Sequence, residues 1–107
     1  HLKVKNNMET KRSFSYLMMA LNEIEEHLEL QANSQNEKHI LASIILIAEE
    51  HNGIAYIDYI KTHPLTAKIP LPSLYRGLNV LIEQKKIYHI GRERSGVYAL
   101  SDDDITL

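Results

Sequence analysis

Apolar residues recur early in the chain at spacings of three and four: Phe14, Leu17, Leu21, Ile24 and Leu28. That spacing puts them on one stripe of an α-helix, because successive residues sit about 100° apart around the axis. The pattern predicts a helix over residues 13–31, capped by Ser13 or Ser15. Met18 widens the stripe, while Glu23, Glu25, Glu26 and Glu29 lie off it. Residues 31–36 are polar and read as a loop. Residues 37–51 predict a second helix, apolar through Ile40, Leu41, Ile44, Ile45, Leu46 and Ile47. A helix apolar on most sides is expected at the centre of a core. Asn52-Gly53 should end it, with Gly53 suited to a left-handed position.

Beyond Gly53 the periods shorten. Ile54 is expected to form a strand of one or two residues, and Ala55 to Thr62 a short helix with Ile57 and Ile60 inward. Pro64, Pro70 and Pro72 then exclude one continuous helix. Pro72 suits the first turn of a further helix, where its missing N–H has no partner to lose. That helix should run to about Lys85 with Leu74, Leu78, Leu81 and Ile82 on its inner face. Residues 87–90 and 97–100 are strand-like, and Gly91 to Gly96 join them in a hairpin. The order is helix, helix, short helix, helix, hairpin, a mostly helical α+β fold. Its last four elements follow the winged helix-turn-helix order, in which the third helix enters the major groove and the hairpin is the wing. The expected organisation is a disordered or tag-derived segment at 1–12, with Met8 as the native initiator, and one domain over 13–107. Within it, 37–102 form the winged-helix core and 13–31 an added helix.

SLYRGLNVLIEQKKI at residues 73–87 resembles the recognition helix and following strand of PadR-like and MarR-like regulators. GRERSGVYALSD at residues 91–102 is similar to their basic wing. The resemblance covers about residues 37–102 and implies a bacterial transcription regulator that binds DNA as a dimer. Two departures stand out. Thr62 to Leu71 is longer and richer in proline than the usual tight turn of those families. Their C-terminal dimerisation helices also have no counterpart here, so residues 13–31 are expected to take over that role.

Charge supports a polyanion partner once it is divided along the chain. The net charge is only −2. Residues 1–60 carry five Lys/Arg against nine Asp/Glu, whereas residues 61–98 carry seven against two. A basic half is what DNA would attract, although a solvated basic face gives the same count. On the recognition helix the residues away from the leucine face are Ser73, Tyr75, Arg76 and Asn79. Arginine pairs with two acceptors of guanine, and asparagine with adenine. Ser73 and Tyr75, near the helix start, suit phosphate. Arg92 and Arg94 at the hairpin tip would reach phosphate or the minor groove, and Lys68, Lys85 and Lys86 would add nonspecific phosphate contacts.

Other classes of function find less support. There is no cysteine, so no disulfide and no cysteine-based metal or catalytic site can form. Apolar runs such as Ile44 to Ala48 fall far short of the roughly 20 residues of a membrane span. No signal-like segment is recognised, and a cytoplasmic location is expected. His27, His39, His51 and His63 recur every twelve residues, which is not a ligand spacing. No metal, no cofactor and no catalytic residue is expected. The chain is read as a double-stranded-DNA-binding regulator and not an enzyme. The alternative is a winged-helix protein–protein interaction module without DNA binding, which the acidic first half favours. Phe14, Leu17, Leu21, Ile24 and Leu28 either join two subunits in a homodimer or pack within their own chain; the a/d spacing favours the dimer.

Overall fold

The computed structural model describes residues 7–92 and 95–101. Backbone proximity divides the chain into two units, before and after the Ala32–Asn33 bond.

The first unit is built on α1, Asn7–His27. It begins earlier than residue 13, so neither Ser13 nor Ser15 caps it. Ser15 instead donates its hydroxyl proton to the Lys11 carbonyl one turn back, at 3.0 Å. That bond satisfies a hydroxyl inside a helix without interrupting it. The helix also stops short of residue 31. Glu29 turns left-handed at φ 58°. Leu30 N–H then bonds the Glu25 carbonyl at 2.8 Å, and Glu29 N–H the Glu26 carbonyl at 3.1 Å. This is a Schellman closure with glutamate in the place usually held by glycine, which is why composition alone did not mark it. No residue of α1 is buried.

The second unit holds the remaining elements: α2 Gln35–Glu50, β1 Ile54–Tyr56, α3 Ile57–Thr62, α4 Leu71–Glu83, β2 Ile87–His89 and β3 Val97–Leu100. It is an α+β arrangement, with helices around a three-stranded antiparallel sheet of order β1-β3-β2. α2 starts two residues before residue 37 because Ser34 caps it. Glu37 N–H donates to Ser34 Oγ at 3.2 Å, and Ser34 N–H donates to Glu37 Oε1 at 3.1 Å. The Ser-x-x-Glu box was present in the sequence and moves the loop to residues 28–34. Asn52 and Gly53, both at positive φ, follow the end of α2 as expected.

β1 is longer than the one or two residues expected. It runs through Tyr56 because it lies along β3, pairing Ile54 with Ala99 and Tyr56 with Val97. β2 pairs with the other edge of β3, setting Ile87 opposite Leu100 and His89 opposite Tyr98. The core forms where α2 meets α4 and the sheet. Ile40, Ile44, Ile60, Leu74, Leu78, Leu81 and Ile87 are all buried to within 1% of complete. Two expected inward residues, Ile57 and Ile82, are only half-buried. Burying each aliphatic side chain is worth about 1.5–3 kcal/mol.

Gly77 shows how closely α2 and α4 approach. A Cβ there would run into Ile40 Cδ1. The loop before α4 is also ordered by the core. Thr66 is buried and donates its hydroxyl proton to the Ile60 carbonyl, which ties the loop to the end of α3. Pro70 then occupies the N-cap of α4, and Pro72 its first turn.

Candidate nucleic-acid interface

α4 owes its orientation to four buried residues, Leu74, Gly77, Leu78 and Leu81. Those occupy one side of the helix, so the residues between them must face away. Tyr75, Arg76 and Asn79 are exposed, and Ser73 is half-buried at the edge. The helix therefore offers a phenol, a guanidinium and a carboxamide on its outer arc. Glu83 is exposed at its last position.

These four residues divide between two clefts flanking α4. Tyr75 and Asn79 line a cleft of about 330 Å³ with Ile57, His89, Ser95, Gly96 and Tyr98. That cleft joins the outer face of α4 to the hairpin. Its far wall is built by strand register: His89 and Tyr98 are directly opposed, with ring centroids 4.6 Å apart. Burial, and then the neighbouring Tyr75, push the Tyr98 hydroxyl pKa above its ordinary value, so near neutral pH it stays protonated and can donate. Ile57 N–H donates to the Gly96 carbonyl at 2.7 Å, which fixes the base of the hairpin against the start of α3. A side chain at Gly96 would meet Ile57 Cγ2 at 2.6 Å, and its φ of +70° already favours glycine.

Ser73 and Arg76 line the second cleft, of about 280 Å³, with Ser34, Asn36, Glu37, Gly77 and Val80. Arg76 Nη2 donates to Ser73 Oγ at 3.0 Å. The Glu37 carboxylate on the same cleft accepts from Asn33 Nδ2 and from Ser34 N–H. Asn33 Nδ2 also reaches Gln84 Oε1 at 2.9 Å, which ties the start of α2 to the end of α4.

Of the other basic candidates, Lys68 is exposed in the loop before α4, and Arg92 is exposed just beyond β2. Arg94 lies outside the described residues. Lys85 is exposed at a left-handed position (φ 62°) just past α4, and Lys86 is half-buried.

The dimer candidates fall on α1 with one exception. Phe14, Leu17, Leu21 and Ile24 are 65%, 69%, 43% and 54% exposed. Leu28 lies one residue past α1, yet its N–H still bonds the Ile24 carbonyl at 2.9 Å and continues the helical path.

Three of the described histidines have local partners on the surface of the second unit. His39 is 3.0 Å from Gln35, and His63 Nδ1 accepts the Leu65 N–H. His51 stacks on Tyr59 with centroids 4.8 Å apart, and Tyr56 meets Tyr59 edge-on at 6.0 Å. Among the described residues no group of three His, Cys, Asp or Glu is placed to hold a metal ion. None of the described helices is long and apolar enough to cross a membrane.

Sequence reasoning missed His89 and Tyr98 as walls of the cleft beside α4. Counting the hairpin register outward from Gly91 and Gly96 would have opposed them. It also missed the cluster of half-buried His51 with exposed Tyr56 and Tyr59, which needs β1 and α3 to meet the end of α2. In comparisons with known proteins, the chain matches no family model, no curated protein and no solved structure.

Proposed function

We propose that this chain is a winged helix-turn-helix protein that binds double-stranded DNA with sequence preference as a homodimer, and that it regulates transcription. One observation carries this reading: the buried leucine face of α4 turns Tyr75, Arg76 and Asn79 outward, in the helix that directly precedes the hairpin. The element order from α2 to β3, with a sheet of order β1-β3-β2, supports it. In this reading α4 is the major-groove helix and the β2–β3 hairpin is the wing. Arg76 and Asn79 read base edges, Ser73 and Tyr75 contact the backbone at the helix start, and Arg92, Arg94 and Lys68 contact phosphate. A dimer would place two copies of α4 in successive major grooves about 34 Å apart.

The test is selection of bound duplexes from a randomised pool, followed by titration of the selected and random duplexes. Affinity should fall steeply with salt as phosphate contacts release counterions. Arg76→Ala should cost about 1–3 kcal/mol of discrimination between selected and random duplex while the fold is retained. Failure to enrich any sequence, with all duplexes bound more weakly than about 10⁻⁴ M, overturns the reading.

The second reading is a protein-interaction module, and the exposed rings of Tyr56 and Tyr59 beside His51 favour it. Tyrosine is enriched at protein interfaces, where its ring buries area and its hydroxyl stays bonded. Substituting Tyr59 should leave duplex binding unchanged if α4 carries the function.

A further inference from the structure

The spacing on α1 specifies more than an apolar face. Phe14, Leu21 and Leu28 hold one seam position of the heptad, a, and Leu17 and Ile24 hold the other, d. Two-stranded parallel seams favour β-branched residues at a and leucine at d. Leucine at a with isoleucine at d shifts the preference to larger assemblies. Here Leu21 holds a and Ile24 holds d, the wrong way round for a parallel pair.

An antiparallel pair removes that conflict, because each a residue then faces a d residue of the other helix. Placing Phe14 opposite Ile24 of a second copy also places Leu17 opposite Leu21 and Thr10 opposite Leu28. Both apolar layers are then made twice, by symmetry. The same register sets the flanking residues. Lys11 comes beside Glu25 of the second copy, again twice, and Met18 comes beside its own counterpart. A parallel pair would instead set Ala20 beside Glu25 and Ser13 beside Met18, with no opposite charges meeting.

We infer that α1 is the contact surface for a second copy of this chain, in antiparallel register, with Phe14 against Ile24 and Leu17 against Leu21. This rests on the homodimer in the proposed function and specifies its orientation. All four of these side chains are exposed on α1, so the seam requires no unfolding of the helix. Tyr16 and Met19, 64% and 62% exposed, lie outside the seam and would stay outside a two-stranded pair.

The chain has no cysteine, so a single introduced thiol reports on one position only. Met18→Cys and Leu21→Cys would be made separately in the full chain, oxidised, and read on a non-reducing gel. In parallel, the mass of the unmodified chain would be measured by sedimentation. The expected result is a sedimenting dimer, extensive cross-linking of Met18→Cys, and little of Leu21→Cys. Cross-linking of Leu21→Cys without Met18→Cys overturns the antiparallel register but leaves the dimer standing. A dimer that neither thiol cross-links also overturns the register. A chain that sediments as a tetramer overturns the two-stranded pair, and a monomer overturns the α1 interface altogether. Duplex selection and Arg76→Ala test α4 independently of any of these results. A charge swap adds a second readout. Lys11→Glu should weaken association roughly fivefold, the scale of two exposed ion pairs lost, and Lys11→Glu with Glu25→Lys should restore it. A double variant no tighter than the single one counts against the register.

Discussion

α1 and α4 are both amphipathic helices with apolar residues at spacings of three and four, yet they use those residues differently. On α4, Leu74, Leu78 and Leu81 are at most 1% exposed. On α1, Leu17 and Leu21 keep 69% and 43% of their surface in contact with solvent. The spacing of three and four is present in both, and α4 is the more strongly amphipathic of the two. What differs is the opposing surface. α4 lies against α2, where Ile40 and Ile44 are fully buried and Gly77 lets the two backbones approach. Helical spacing therefore encodes that an apolar face exists, and the identity of what covers it is encoded elsewhere. An apolar stripe left in water is costly, which is why an unburied one points to association.

The contrast can be broken most severely in the core. Leu78→Ala should destabilise the fold by about 2–5 kcal/mol, since it removes a buried side chain and leaves a cavity. Leu17→Ala should cost the fold of a single subunit far less. Urea unfolding of both variants at a concentration where the chain is monomeric checks this. Equal losses would show that α1 contributes as much to the fold as α4 does.

Gly77→Ala sharpens the comparison at one atom. Alanine in the middle of a helix normally gains about 1 kcal/mol over glycine. Here the new methyl group meets Ile40 Cδ1, and overpacking of this kind typically costs about 1–3 kcal/mol. The expected outcome is a net loss of stability, measured by the same denaturation. A net gain would mean that Ile40 can shift aside freely. The smallest effect is at the start of α2, where Ser34→Ala should cost about 1 kcal/mol by removing half of the capping box.

Much of the second unit was legible in order. β3 was read with its exact residues, and α2 and α4 to within two residues at each end. Pro72 and Gly53 acted as read, because proline and glycine restrict or free the backbone whatever surrounds them. The outward set on α4 was legible for the same reason the leucine face was, since the two are complementary on one helix. The ends of α1 were not legible. Its closure uses Glu29 in a left-handed conformation, where glycine would have been the signal. The division of the α4 candidates between two clefts was not legible either. It depends on which neighbours flank the helix, with the hairpin on the side of Tyr75 and Asn79 and the start of α2 on the side of Ser73 and Arg76.

Sequence alone thus determined the helices, the hairpin and the apolar face of each, because period, caps and turn residues act over a few neighbouring positions. Only the tertiary structure decided that β1 extends along β3, that Tyr98 and His89 wall a cleft beside α4, and that Thr66 is buried against the end of α3. The β1–β3 pairing and the cleft join residues far apart along the chain, and Thr66, whose partner Ile60 is only six residues away, is buried by the same core. Their energy comes from surfaces that exist only after the core around Ile40, Ile44 and Leu78 has closed, and no local pattern carries that information.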